Sequence, residues 1–337
     1  MVTVSGALAS LDKPLKGKLY SGDRNNIIER PIDFKGDFTG RIARKCHSSD
    51  SEEYDALSGE NKITNRFIDN CLSGKTQKPL IAFSGDSHSL AIFPVSEVIA
   101  STSEFDVFSH SRDGCAFPAQ GETIRRNCYE VQSSVVTAVI EQIKKRNRGS
   151  VVIATSYLNS HFGYSGDHRR QIKKHPDGSK KSVSKNLEDY IGAAKKLADK
   201  LKKVDASLVI VAPLPQHPNF IPEISSSEWF RPSPPIAYTT TPKVFPQGQR
   251  QHILDQLNRL SAEIDNIYIF DPFDRFCDDR FCYVAKGKTV FYSDDDHLSA
   301  HGARLISKDL LSMIVHINHS RDNPAAKDRQ IKSPNFN

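Results

Sequence analysis

The chain has 337 residues, 38% of them hydrophobic and 26% charged, with a formal net charge of +6 and a mean hydropathy of −0.48. That is enough chain for one large domain or two ordinary ones, and no apolar run approaches the roughly 18 residues that a membrane span requires. The lysine pairs Lys173-Lys174, Lys180-Lys181 and Lys202-Lys203 are dispersed and lack interleaved aromatics, so they read as solvated faces and argue against a nucleic-acid surface.

In chain order, residues 1–75 are polar and irregular, and read as a linker followed by an extension pinned by Cys46 and Cys71. From residue 79 the texture changes to alternating strands and helices. A strand is predicted near 79–84, a helix near 88–100, a strand near 105–109, a helix at 131–146 and a strand at 150–154. A polar insert follows at 159–184. The helix expected over 185–204 carries Leu187, Ile191, Ala194, Leu197, Ala198 and Leu201 as one apolar stripe. A strand at 207–212 ends at Pro213, and the Pro- and Ser-rich stretch 213–246 reads as a long loop that shapes a cleft. A helix at 249–263, a strand at 267–270 and a helix over 299–315 close the unit. The alternation predicts an α/β class fold: a single three-layer, flavodoxin-like α/β/α domain with a parallel sheet over 76–318, and a disordered tail at 319–337.

Six cysteines fall into three sequence-local pairs, Cys46 with Cys71, Cys115 with Cys128, and Cys277 with Cys282, with no C-x-x-C unit. Disulfides in an oxidising compartment are the expectation, against reduced buried thiols in a cytosolic protein. Met1–Ser10 lacks the basic and apolar regions of a secretory signal, which fits oxidised cysteines if an export signal or membrane part lies upstream in a longer protein.

Gly85-Asp86-Ser87-His88 follows the apolar run Pro79–Phe83, so it reads as a tight turn at the carboxyl end of a buried strand. Open α/β sheets put their chemistry at that edge. A serine hydroxyl needs a base, and the base an orienting acid. Asp294 and His297, in Asp294-Asp295-Asp296-His297-Leu298-Ser299, supply both at a spacing that places them on one face of a helical turn. Ser87, His297 and Asp294 are therefore the candidate catalytic set, and His88 a structural or substrate contact. Two other readings stand beside it: a metal cluster of Asp294, Asp296, His297 and His301, or aspartates capping a helix that starts near Leu298. Candidate oxyanion donors are the N–H groups of Ser87 and Gly114, with Asn159 as a third. No cofactor and no metal is expected.

Gly85-Asp86-Ser87 and Asp294-x-x-His297 resemble the first and last blocks of the SGNH (GDSL-like) hydrolase superfamily. Gly-Asp-Ser-His, Gly114-Cys115, the Cys277/Cys282 loop and the run from Phe291 to Ala303 resemble the SGNH domain fused behind the membrane domain of bacterial acyltransferase-3 polysaccharide O-acetyltransferases. The resemblance covers roughly residues 40–315. One departure is that Thr155-Ser156-Tyr157 stands where the superfamily's third block commonly supplies an asparagine.

The resemblance implies serine-dependent transfer of an acyl group, chiefly acetyl, to hydroxyls of a surface polysaccharide through an acyl-serine. It implies a periplasmic or extracytoplasmic location, membrane tethering in the full-length protein, and an acyl donor delivered by a membrane domain absent from this chain. A carbohydrate O-acetyl esterase and a non-catalytic carbohydrate-binding module are the rival readings.

Overall fold

Leu80–Gly85 forms β2, buried along its whole length, and it is the strand around which the sheet is organised. A computed structural model describes residues 46–48, 65–118, 128–162, 183–217, 240–286 and 289–322. In chain order the sheet strands are β1 (His47–Ser48), β2, β3 (Asp106–Arg112), β4 (Val151–Thr155), β5 (Ser207–Val211) and β7 (Ile267–Phe270), in spatial order β1-β3-β2-β4-β5-β7. Every pairing is parallel. Between β5 and β7 lies β6 (Thr240–Pro242), which pairs antiparallel with β8 (Phe281–Tyr283); β9 (Ala285–Lys286) pairs with β10 (Thr289–Val290).

Side chains alternate across the strands, and each set meets its own helical layer. Leu80, Ala82, Val152, Ala154, Leu208 and Ile210 face a core made with α1 (Asn65–Cys71), α4 (Cys128–Ile143), α6 (Val183–Lys202) and α7 (Val244–Glu263). Ile81, Phe83, Val151, Ile153, Val209 and Val211 face a second core made with α3 (Phe93–Ser101), α8 (Ala300–Leu305) and α9 (Ser307–Asp322). Burial on both faces explains why β2, β4 and β5 read as continuous apolar runs rather than alternating ones. The three-layer α/β/α architecture expected from the sequence is therefore the one observed.

Several boundaries differ from the sequence reading. The helix expected near 88–100 is two, α2 (Ser87–Ala91) and α3, broken at Ile92, because Pro94 sits in the first turn of α3 and cannot continue a preceding helix. The last helix is likewise split into α8 and α9, and α9 runs to Asp322, so 319–322 are helix rather than tail. There Arg321 donates to the Asp205 carbonyl and to Ser207 Oγ. The stretch beginning at 159 is not wholly polar insert: Leu158–His161 forms α5, whose four residues are all buried. The stretch read as a loop to 246 contains β6 and the first turn of α7.

The described part of 1–75 is built into the domain: β1 joins the sheet beside β3, and Cys46, Phe67, Ile68 and Leu72 enter the core. The tail after 322, the remainder of the insert (163–182) and the loop at 218–239 lie outside the described residues.

Cys46–Cys71, Cys115–Cys128 and Cys277–Cys282 are disulfides, and no described cysteine is free. Closing loops of this size stabilises a fold by about 2–4 kcal/mol each in the chain-entropy account. Alkylation in denaturant without reductant is expected to leave the intact mass unchanged, and to add six alkyl groups after reduction, one on each of the six cysteines. Alkylation before reduction would contradict the pairing.

Candidate active site

Counting only the longer strands, β3-β2-β4-β5-β7 has the order of a doubly wound sheet in which the first strand has its chain neighbours on both sides. The strand order reverses between β2 and β4, and ligands in such sheets bind in the crevice at that switch point, beyond the carboxyl ends. Ser87 leaves β2 there as the first residue of α2. Gly85, two residues earlier, is required for a steric reason: a Cβ would lie 1.6 Å from the Thr155 carbonyl oxygen of β4.

Asp86 fixes the turn. It is the N-cap of α2, buried, and accepts from the His88 N–H at 2.9 Å, the Tyr157 N–H at 2.8 Å and His161 Nε2 at 2.7 Å. One carboxylate thus ties the serine turn to the segment after β4. Burial alone would raise its pKa, but the His161 hydrogen bond and the nearby His88 hold it below the usual carboxylate range. The sequence reading did not single out Asp86, although its cap role was legible in the order Asp-Ser-His before an apolar run. The partner His161 was not, because nothing local marks a contact with a residue 75 positions away.

Ser87 Oγ lies 2.7 Å from His297 Nε2, and His297 Nδ1 lies 2.8 Å from Asp294 Oδ2, so the three residues expected to meet do meet. The local geometry differs from the expected helical turn. Asp294 Oδ1 accepts the N–H groups of Asp296 at 3.0 Å and His297 at 2.6 Å, closing a side-chain turn that aims the imidazole. Helix α8 starts only at Ala300, and its cap is Ser299, whose Oγ accepts the Gly302 N–H at 3.1 Å. The aspartates are therefore not its cap. Asp296 is instead a second carboxylate on the ring, its Oδ1 2.6 Å from His297 Nδ1.

Burial would lower the His297 pKa, but the hydrogen bonds and charges of Asp294 and Asp296 outweigh it and carry it up to about 10.

The buried His88 ring stacks on Tyr157 at 4.6 Å between centroids and packs tilted against His297 at 4.5 Å. Burial and the adjacent His297 push its pKa down. The metal reading takes Asp294, Asp296, His297 and His301; among the described residues Asp294 and Asp296 cluster with Asp295, and Asp296 and His297 with His88, each set having ligand atoms within 4.8 Å of one another, while His301 belongs to neither set.

Gly114 sits at φ 64° in the turn after β3, and Gly85 of β2 pairs with Ser111 in the register leading to that turn. This loop is firmly held: Cys115 is bonded to Cys128, Gln132 Nε2 donates to the carbonyls of Cys115 at 3.1 Å and Ala116 at 2.6 Å, and the Phe117 N–H donates to Ser156 Oγ at 2.9 Å. Asn159 lies on α5 and is buried; it lines a small cavity with His88, Tyr157, Gln216 and Asp296. Its Oδ1 has no hydrogen-bond partner there. The entry to the long loop is anchored at the site by the His217 N–H donating to the Asp295 carbonyl at 2.8 Å, and His217 Nδ1 lies 3.0 Å from Thr241 Oγ1.

Among the described residues, no helix is long and apolar enough to cross a membrane. Comparison with known proteins gives a family match and a set of structural likenesses. The family model described as "SGNH domain (fused to AT3 domains)" matches residues 45–312. The periplasmic domain of a lipopolysaccharide acetyltransferase from Salmonella ser. Paratyphi A is 16% identical, with a TM-score of 0.50 over 79% of this chain and 97% of that one, a likeness of fold. A GDSL-like lipase from Bacteroides thetaiotaomicron is 11% identical at TM-score 0.38, covering 78% of this chain and 97% of its own. An acetyl-xylooligosaccharide esterase variant from Geobacillus Stearmophilus is also 11% identical at 0.38, covering 71% and 96%. No curated protein matches the chain in sequence. With most of its length matched, the chain belongs to the SGNH domains that occur fused to AT3 domains, and it is an enzyme of the SGNH acyltransferase/esterase type.

Proposed function

We propose that the protein transfers an O-acyl group, chiefly acetyl, to hydroxyls of a bacterial surface polysaccharide through an acyl-serine at Ser87. The observation that carries this reading is the contact of Ser87 Oγ with His297 Nε2 at 2.7 Å, at the switch point of the sheet, with carboxylate on the other ring nitrogen. In the first half-reaction Ser87 Oγ attacks the donor's acyl carbonyl while His297 Nε2 takes its proton. The tetrahedral oxyanion is met by the N–H groups of Ser87, at the start of α2, and Gly114. The intermediate then collapses, and the leaving group departs with the proton from His297. In the second half-reaction His297 deprotonates an acceptor hydroxyl, which attacks the acyl-serine and frees Ser87. Asp294 holds the ring in the tautomer with hydrogen on Nδ1.

The family's fusion to AT3 domains supports a membrane domain as the source of the acyl donor, and the three disulfides support an extracytoplasmic site for the chemistry.

The test is mass spectrometry of products from an activated acetyl donor with and without acceptor oligosaccharide. Acetylated oligosaccharide is the expected product. Free acetate alone, undiminished by acceptor, would make the protein an esterase. A fluorophosphonate that fails to label the folded protein would make it a binding module.

A pH profile checks the base independently. Only neutral His297 can take the serine proton, so kcat/KM toward an aryl acetate is expected to rise with pH through neutrality, toward a midpoint near 10. A midpoint at or below the ordinary imidazole value of about 6.5 would contradict the carboxylate contacts on the ring.

A further inference from the structure

His297 Nδ1 carries one hydrogen at most, yet two carboxylates reach it: Asp294 Oδ2 at 2.8 Å and Asp296 Oδ1 at 2.6 Å. The two are not equivalent. The Asp294 side chain is 41% exposed, and its other oxygen is engaged with two backbone N–H groups. The Asp296 side chain is 10% exposed, and its Oδ2 faces the buried His88 Nε2 at 3.9 Å. That His88 nitrogen has no hydrogen-bond partner.

The geometry points to Asp296 as a second positioning residue for His297, the carboxylate that keeps hold of Nδ1–H from the protein side while Asp294 builds the turn. This rests on the triad reading above. A hydrogen bond to a buried carboxylate keeps its strength where water competes least, whereas a half-exposed one is weakened by solvent. The surroundings suit the role. Imidazole rings lie on two sides of the Asp296 carboxylate, and the His88 ring packs at a 33° tilt, 4.5 Å between centroids, against the ring that must stay still during proton transfer. The groups facing the pair are His88 from α2, Asp294 and Asp295 from the same turn, and Tyr292 from the preceding segment, itself under the influence of Arg250 on α7.

Burial would raise the Asp296 pKa, but the His297 hydrogen bond and the neighbouring His88 hold it well below the usual range, so it stays charged throughout the working pH range.

The experiment compares D296N, D294N and the double variant, scored by kcat/KM for an aryl acetate across pH. Each single variant keeps one carboxylate and is expected to lose about 10- to 100-fold, with the acid limb of the profile moved down by at least about one pH unit in D296N. The double variant is expected to fall to the level of H297A, a loss on the order of 10⁴-fold. An Asp296→Asn protein within about twofold of wild type with an unmoved acid limb would overturn the inference. If D296N does not fold, D294N carries the test alone, since its side chain is partly exposed. Retained activity within about 100-fold supports Asp296, and a loss equal to that of H297A overturns it. Ser87→Ala and His297→Ala run alongside separate the two claims. Turnover surviving in those removes the triad reading itself, whereas turnover lost in both but unchanged in D296N removes the role of Asp296 alone.

Discussion

Ser87→Ala is expected to lower kcat/KM toward an aryl acetate by on the order of 10⁵-fold while leaving the fold intact. The loss is large because the acyl-enzyme route disappears with the nucleophile. What survives is whatever the oxyanion donors and binding give to direct attack by water, typically about 10³–10⁴ over the uncatalysed rate. The fold should be indifferent. Ser87 Oγ has its hydrogen bond to His297 Nε2, a contact that supports no part of the core, and the turn is held by Asp86 instead. Fluorophosphonate labelling should vanish in the same variant, and the thermal midpoint should stay within a few degrees of wild type. Undiminished turnover with an unlabelled serine would move the chemistry elsewhere in the molecule.

Gly85→Ala is expected to have the largest effect on stability. The added Cβ would meet the Thr155 carbonyl oxygen at 1.6 Å, its carbon at 2.7 Å and Ser89 Cβ at 2.9 Å. Two of the three obstacles are backbone of a neighbouring parallel strand, so the conflict cannot be relieved by turning a side chain. β2 and β4 must separate at the point where Gly85 pairs with Thr155, in the middle of a sheet buried on both faces. A cost above about 4 kcal/mol follows, a large part of the 5–15 kcal/mol that a domain has in total. Denaturant unfolding measures it, with Gly248→Ala in α7 as the control, where a new Cβ meets nothing within 4 Å. That exposed helical position should gain roughly 0.5–1 kcal/mol from reduced chain entropy. A G85A protein within about 1 kcal/mol of wild type would mean that β2 and β4 do not approach as described.

Much of the fold was legible because burial writes itself into short runs. Leu80–Phe83, Val151–Ala154 and Leu208–Val211 are continuous apolar segments, as strands covered on both faces must be, and each falls in the expected place. Short elements were not legible. β6, β8, β9 and β10 hold two or three residues each, too few for a periodic signal; β9 and β10 pair where the chain between β7 and α8 folds back on itself, and β8 pairs with β6 from ahead of α7. The breaks at Ile92 and Ile306 were missed because the apolar pattern continues through them while a single turn residue interrupts the helix at each.

At the site, residue types alone marked Ser87, Asp294 and His297: a serine after a buried strand needs a base and an acid, and one short motif near the carboxyl end of the chain offers both. The sequence also determined the α/β class and the main sheet strands from β2 to β7 and pointed to the local pairing of the cysteines, since each depends on local pattern or on neighbours close along the chain. Only the tertiary structure decided which of three consecutive aspartates touch the imidazole, that His161 anchors the serine turn through Asp86, and that Asn159 is buried in a cavity beside His88 and Asp296. Those outcomes depend on the direction and burial of side chains brought together from β2, the segment after β4 and the turn before α8, and spacing along a chain carries no information about either.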